Sequence, residues 1–170
     1  MSEAIKIYCK NLGRYVDVAG GERLTSVAAR LRDELGFDAI CAYVNNKSEA
    51  LSFAVYNPKQ VEFLPRTSAS GARVYFRSLC MMLYKAVTLV CPGAKLSVEH
   101  SISRGYYCRL SGAEVTPELI LSLRAEMMRL VERNLPFVRD ERPTKDVIRI
   151  FASQGLDDKV ALLETTHELY

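Results

Sequence analysis

Ile5, Ile7 and Cys9 alternate with Lys6, Tyr8 and Lys10, the two-residue period of a strand that buries one face. Asn11-Leu12-Gly13 supplies a turn, and Tyr15 to Val18 reads as the returning strand of a hairpin. Beyond Gly20-Gly21 the period changes. Leu24, Val27, Ala28, Leu31 and Leu35 fall at helical spacing, with Thr25 as the expected N-cap and Gly36 as the stop. Three strands are then expected, at Ala39 to Val44, Leu51 to Tyr56 and Gln60 to Leu64, separated by turns at Asn45-Asn46 and Asn57-Pro58.

The polar, small-residue stretch from Pro65 to Gly71 reads as a joint. After it comes a nearly all-apolar helix from about Ala72 to Cys91, whose Val74, Leu79, Cys80, Leu83, Val87 and Val90 are the expected core face. Pro92-Gly93 ends this helix, and short strands follow at Lys95 to Val98 and Tyr106 to Leu110. Thr116 is placed to cap a helix with Pro117 in its first position and Glu118 in its first turn. Ile120, Leu123, Met127, Leu130 and Val131 form its apolar stripe to about Arg133. Pro136 ends it. A short extended piece at Phe137 to Asp140, a helix from Thr144 to Gln154 stopped by Gly155, and a further helix from Leu156 to Leu163 complete the reading.

With 170 residues and 49% apolar content the chain can bury real cores without disulfides or metal. Its five cysteines, Cys9, Cys41, Cys80, Cys91 and Cys108, form no CxxC pair and fit reduced thiols packed as small apolar groups. The N-terminal MSEAIKIYCK lacks the apolar core of a signal peptide. The strongest apolar run, Ser78 to Cys91, is interrupted by Lys85 and falls short of the roughly 20 residues that span a bilayer. These features imply a cytoplasmic protein with no membrane partner.

Charge changes the picture more than composition does. From Arg66 to Arg109 there are seven basic residues against one acid, Glu99, whereas the rest of the chain carries 16 basic and 19 acidic residues. A basic middle favours an anionic partner, RNA or nucleotide phosphate. Arg73, Arg77 and Lys85 recur along the long helix as a basic ridge, Lys95, Arg104 and Arg109 flank it in sequence, and Tyr84, Tyr106 and Tyr107 could place rings beside it. The same pattern also fits tyrosines that cover a helix-sheet core with the charges simply solvated. The two histidines, His100 and His167, stand far apart with no second ligand at metal spacing. Neither catalytic residues nor a metal site is expected, and no GxxxxGK[ST] occurs, so no nucleotide cofactor is expected within this chain.

The order of the first hairpin, Gly20-Gly21-Glu22-Arg23-Leu24-Thr25, Tyr43-Val44-Asn45-Asn46-Lys47 and Val61-Glu62-Phe63-Leu64 resembles the TGS domain, a ubiquitin-like β-grasp found in threonyl-tRNA synthetases, stringent-response synthetases and some GTPases. Pro92, Lys95 and Gly105-Tyr106-Tyr107 resemble the second additional, editing domain of threonyl-tRNA synthetase. The segment 115–164 continues that likeness. The resemblance implies an α+β chain with a β-grasp domain at 1–66 and a partial editing-like domain at 67–170, truncated at its C-terminus. In that family an HxxxH pair on the long helix binds metal or substrate, and the resemblance places Arg77 and Met81 at those positions.

Tyr56 to Leu64, Phe76 to Cys80 with Leu83 to Ala86, and Val98 to Cys108 further resemble the version of this domain pair that precedes a P-loop kinase domain in bacterial uridine kinase-like (nucleoside kinase) proteins. That likeness implies a non-catalytic regulatory or substrate-recognition region joined covalently to a C-terminal kinase, with ATP and magnesium confined to the kinase. A threonyl-tRNA synthetase-type editing hydrolase fragment and a freestanding RNA-binding module are the alternatives.

Overall fold

The computed structural model describes residues 4–103, 105–138 and 140–167. The chain is mixed α+β and divides into two compact units, 1–132 and 133–170. In the first unit, β1 (Ala4–Cys9), β2 (Arg14–Ala19), β4 (Ala39–Val44), β5 (Lys47–Ala50) and β7 (Gln60–Pro65) form one sheet in the order β2-β1-β7-β4-β5. The first and last of these strands in sequence, β1 and β7, pair in parallel at the centre, and the other pairings are antiparallel. A two-residue strand, β3 (Glu22–Arg23), pairs with β6 (Ala54–Val55) beside it.

One face of the sheet carries the core. Ile7, Cys9, Val16, Val18, Ala42, Val44, Val61 and Phe63 meet Leu24 and Val27 of α1 (Leu24–Arg30) and Leu31, which joins α1 to the short α2 (Arg32–Leu35). The strand alternation read from Ile5 to Cys9 is thus the alternation between this core and the opposite face. Gly36 closes α2 in the left-handed region at φ 71°, as expected of a helix stop.

Two local readings are corrected. Thr25 does not cap α1, because the helix begins one residue earlier at Leu24, and both the Thr25 amide and its hydroxyl donate to the Leu51 carbonyl. Those bonds tie α1 to the loop that follows β5. Of the strand expected at Leu51 to Tyr56 only Ala54–Val55, β6, is strand, and β5 at Lys47–Ala50 precedes it as a separate strand that was not expected. Asn45 and Asn46 both adopt positive φ, 48° and 65°, and so form a tight hairpin turn that starts β5 at once.

The long helix α3 runs from Ala69 to Val90 and begins inside the stretch read as a joint. Ser68 is its N-cap, accepting a hydrogen bond from the Gly71 amide at 3.0 Å, while the Ser68 hydroxyl donates to the Pro65 carbonyl at 2.8 Å. Ser70 is buried and hydrogen-bonded to the Tyr43 hydroxyl of β4 at 2.6 Å. The division expected at 66/67 therefore falls within the first unit, at a point where α3 packs on β4 and β7. Farther along, α3 packs against β8 (Lys95–Ile102) of the β8-β9 hairpin, whose second strand is β9 (Gly105–Ser111), and against α4 (Pro117–Glu132). Of the expected core face of α3, Val87 is fully buried and Val74, Leu79, Cys80, Leu83 and Val90 are half-buried. Thr116 caps α4 as read, accepting from the Leu119 amide at 3.2 Å.

The second unit contains α5 (Thr144–Ser153) and α6 (Asp157–His167), packed on each other. Between them Gly155 at φ 68° allows the Leu156 amide to reach the Phe151 carbonyl and the Gly155 amide to reach that of Ala152, the paired bonds of a Schellman stop. The extended piece expected at Phe137 to Asp140 includes Arg139, which lies outside the described residues, and the remaining three positions belong to no strand. Among the described residues no helix is long and apolar enough to cross a membrane.

Gly71 is where backbone meets backbone. A Cβ there would stand 2.0 Å from the Pro65 carbonyl oxygen and 2.8 Å from Ser68 Oγ. Gly71→Ala is expected to cost about 1 to 3 kcal/mol through this overlap, read by urea denaturation; a change under about 0.5 kcal/mol, the usual range for surface positions, would mean that α3 is not seated on Pro65.

Thiol reactivity offers an independent check. Cys9 and Cys41 are fully buried, Cys80 is half-buried, and Cys108 is exposed. Burial pushes the Cys41 thiol up, and burial reinforced by the nearby Cys108 pushes Cys80 up. A raised pKa leaves less thiolate at any pH below it. Alkylation of the folded chain at mildly alkaline pH, followed by mass spectrometry, should therefore label Cys108 first and Cys41 among the last, with Cys80 gaining as pH rises. Cys41 labelling as fast as Cys108 would contradict this packing.

Candidate nucleic-acid interface

The basic ridge begins with helix geometry. At about 100° per residue, each four-residue step turns about 40° around the axis, so Arg73, Arg77, Met81 and Lys85 form a row that sweeps about 120°. All four side chains are exposed, Met81 at 60%. Arg73 is tethered: its guanidinium donates to the Ser70 hydroxyl at 2.8 Å, joining the contact between Ser70 and Tyr43. Arg77 and Lys85 make no hydrogen bond or ion pair among the described residues, so their charge is available to a ligand.

The hairpin divides the remaining candidates. Successive strand residues point to opposite faces, so Tyr106 and Tyr107 cannot both lie beside the helix. Tyr106 stacks on Phe76 of α3 with ring centroids 3.6 Å apart. Tyr107 faces away and stacks on His100 at 5.3 Å. Cys108 and Leu110 share the Tyr106 side and, with Leu83, Val87, Leu96 and Leu119, line a small apolar crevice of about 120 Å³. Arg109 lies on the Tyr107 side. There its Nε meets Glu99 Oε1 at 3.1 Å and its terminal nitrogen meets Oε2 at 3.2 Å, a two-point pair with the one acid of the basic middle.

The nine candidates thus separate. Arg73, Arg77, Lys85 and the half-buried Tyr84 belong to α3, and Tyr106 lies against it. Tyr107 and Arg109 occupy the far face of the hairpin, with Arg109 neutralised by Glu99. Lys95 is exposed at the start of β8, and Arg104 lies outside the described residues. The His100 ring is engaged with Tyr107.

Arg77 and Met81 do not suit a hydrolytic metal. A guanidinium is permanently cationic and donates without accepting, and a thioether is a weak ligand for zinc. Among the described residues, no group of three His, Cys, Asp or Glu side chains is placed to hold a metal ion. What this arrangement can do chemically is attract phosphate along the helix.

A second aromatic and basic cluster lies on the polar face of β1, where no site was expected from the sequence. Tyr8 and Tyr15 pack edge to face, ring centroids 5.3 Å apart, on the sheet face opposite the core. Its signal was present in the Lys6-Tyr8-Lys10 alternation.

No family model matches the chain. It is similar to threonine–tRNA ligases, with 26% identity over 165 residues to that of Clostridium kluyveri, 28% over 149 to that of Syntrophomonas wolfei and 26% over 140 to that of Rubrobacter xylanophilus. These alignments take in 96%, 87% and 82% of this chain but only 26%, 24% and 22% of the relatives. The chain spans about a quarter of the length of the curated relatives it matches. Over most of its length, then, it resembles part of a threonyl-tRNA synthetase.

Proposed function

We propose that the chain is a threonyl-tRNA synthetase-type region that binds RNA without hydrolysing it, through the basic ridge of α3. One observation carries the reading: similarity to threonine–tRNA ligases extends over 165 residues, while Arg77 and Met81 stand where the resemblance expects the paired histidines. The sheet order β2-β1-β7-β4-β5, with α1 on one face, supports a β-grasp of TGS type for the first part. The long helix backed by the β8-β9 hairpin and α4 supports a partial editing-like second part. Exposed, uncompensated Arg77 and Lys85 supply the attraction for phosphate that such a region needs.

The regulatory region of a nucleoside kinase is the second reading. It is favoured by the same loss of the histidine pair, since a kinase has no mischarged tRNA to deacylate; ATP and magnesium would then belong to the covalently joined kinase. The relatives named above support the synthetase reading instead.

Two measurements test the proposal. Arg77→Glu with Lys85→Glu should weaken RNA binding and lower the slope of log affinity against log salt by about 0.7 for every single-strand phosphate that is no longer neutralised. Reversing Arg142 and Arg149 in the second unit should do little. Equal effects from both pairs, or no RNA binding at low ionic strength, would reduce the ridge to a solvated face.

Deacylation gives the other readout. The native chain should leave mischarged threonine-system tRNA intact and bind no stoichiometric zinc. Arg77→His with Met81→His places two imidazoles four residues apart on an exposed helix face and should introduce zinc binding, measured by titration. One tightly bound zinc per native chain, or native deacylase activity, would overturn the non-hydrolytic reading.

A further inference from the structure

We infer that the outer face of the five-stranded sheet is a second contact surface for single-stranded RNA, where an unpaired base stacks on the Tyr15 and Tyr8 rings and its phosphates meet Lys6 and Lys59. This deepens the RNA-binding reading and rests on it, but it concerns a different surface from the α3 ridge.

The geometry follows from register. Tyr8 of β1 lies opposite Tyr15 of β2 on one side and Gln60 of β7 on the other, so three side chains form a row across three strands. They line a shallow depression of about 480 Å³, together with Lys6, Lys59 and Asn45. Tyr15 is 66% exposed although it is a large ring, and its edge-to-face contact with Tyr8 leaves a face of the pair open to solvent. Stacking on such a ring is the sequence-tolerant way in which sheets bind unpaired bases.

Hydrogen-bonding capacity stands beside the rings. Asn45 spends its Oδ1 on the Gln60 amide at 2.9 Å, and its own amide donates to the Gln60 carbonyl at 2.8 Å, which fixes the end of β7. The Gln60 side-chain amide has no hydrogen-bond partner among the described residues and lines the depression, available to a base edge.

Charge selects the ligand. Lys6 precedes Tyr8 by two residues on the same strand face, about 6.6 Å along the strand. Lys59 adjoins Gln60, and its carbonyl accepts from the Tyr8 amide at 2.9 Å. Neither ammonium group makes an ion pair or hydrogen bond among the described residues. On the other side of Tyr8 along the chain, Lys10 is already committed to Glu62 at 3.1 Å and Asn46 at 3.5 Å. The free positive charge is therefore concentrated at one end of the aromatic pair. Asp17, the cross-strand neighbour of Lys6, is the opposing charge, and it makes no ion pair with it. A shallow, open face of this kind suits a strand running across it better than a nucleotide held by enclosure.

Fluorescence anisotropy with a labelled single-stranded oligoribonucleotide tests the assignment on the full chain. Tyr15→Ala should weaken binding about tenfold while lowering the thermal unfolding midpoint by only the few degrees that loss of one exposed aromatic pair accounts for. Lys6→Ala with Lys59→Ala should lower the salt slope by about 1.4, the sum for two single-strand phosphate contacts, and Asp17→Asn should tighten binding. A duplex of the same sequence should bind at least tenfold more weakly to this face, because its bases are not free to stack. If Tyr15→Ala and the lysine pair stay within twofold of the native chain while Arg77→Glu with Lys85→Glu abolishes binding, the sheet face is excluded and the α3 reading stands. A mononucleotide that competes as well as the strand overturns the strand assignment. Absence of RNA binding by the native chain overturns both.

Discussion

Everything on the second half of the first unit hangs from the close approach of α3 to Pro65. Only hydrogen fits between the Gly71 α-carbon and the Pro65 carbonyl, and that approach lets Ser68 cap the helix while it bonds the same carbonyl. An N-cap of this kind stabilises a helix by about 1 kcal/mol. Its larger effect is directional. With the first turn fixed on the end of β7, Ser70 is buried against Tyr43 of β4, and the 22-residue helix leaves the sheet along one line. That line decides which side of α3 receives the hairpin and α4, and hence which side keeps Arg77, Met81 and Lys85 in water.

The electrostatics of the region follow from that choice. An exposed ion pair such as Arg109 with Glu99 contributes only about 0 to 1 kcal/mol to stability, so it does little to hold the hairpin. Its consequence is to cancel the charge of one face while the α3 ridge stays uncompensated. The basic middle of the chain is therefore less uniform than its count of charges suggests, and its free positive field is concentrated on the helix. On the β-sheet the same distinction recurs between the committed Lys10 and the free Lys6 and Lys59. Electrostatic attraction of this sort acts over about a Debye length, roughly 8 Å at physiological salt, so which lysines remain unpaired matters more than net charge.

Arg77 and Met81 occupy neighbouring positions on an exposed helix face, so neither is constrained by core packing. A guanidinium on such a face repels metal cations and attracts phosphate.

Much of the fold was legible because its buried faces repeat with the period of their secondary structure. Ile5, Ile7 and Cys9 announced β1, and the apolar run after Gly71 announced α3, since a side chain that must leave water leaves a periodic trace. β5 escaped because Lys47-Ser48-Glu49-Ala50 lies at the sheet edge with no apolar face to bury, and its start is set by two asparagines at positive φ rather than by hydrophobic pattern. Thr25 looked like a cap because capping residues are recognised by type, whereas the carbonyl of Leu51, 26 residues away, took its hydroxyl instead. Most of the elements and the basic middle could be read along the chain. Folding in three dimensions settled that Tyr106 and Tyr107 face opposite ways, that Glu99 neutralises Arg109, and that Tyr8, Tyr15 and Gln60 line up across three strands. Each of those depends on strand register and on which groups meet through space, and neither is encoded in the local period of the chain.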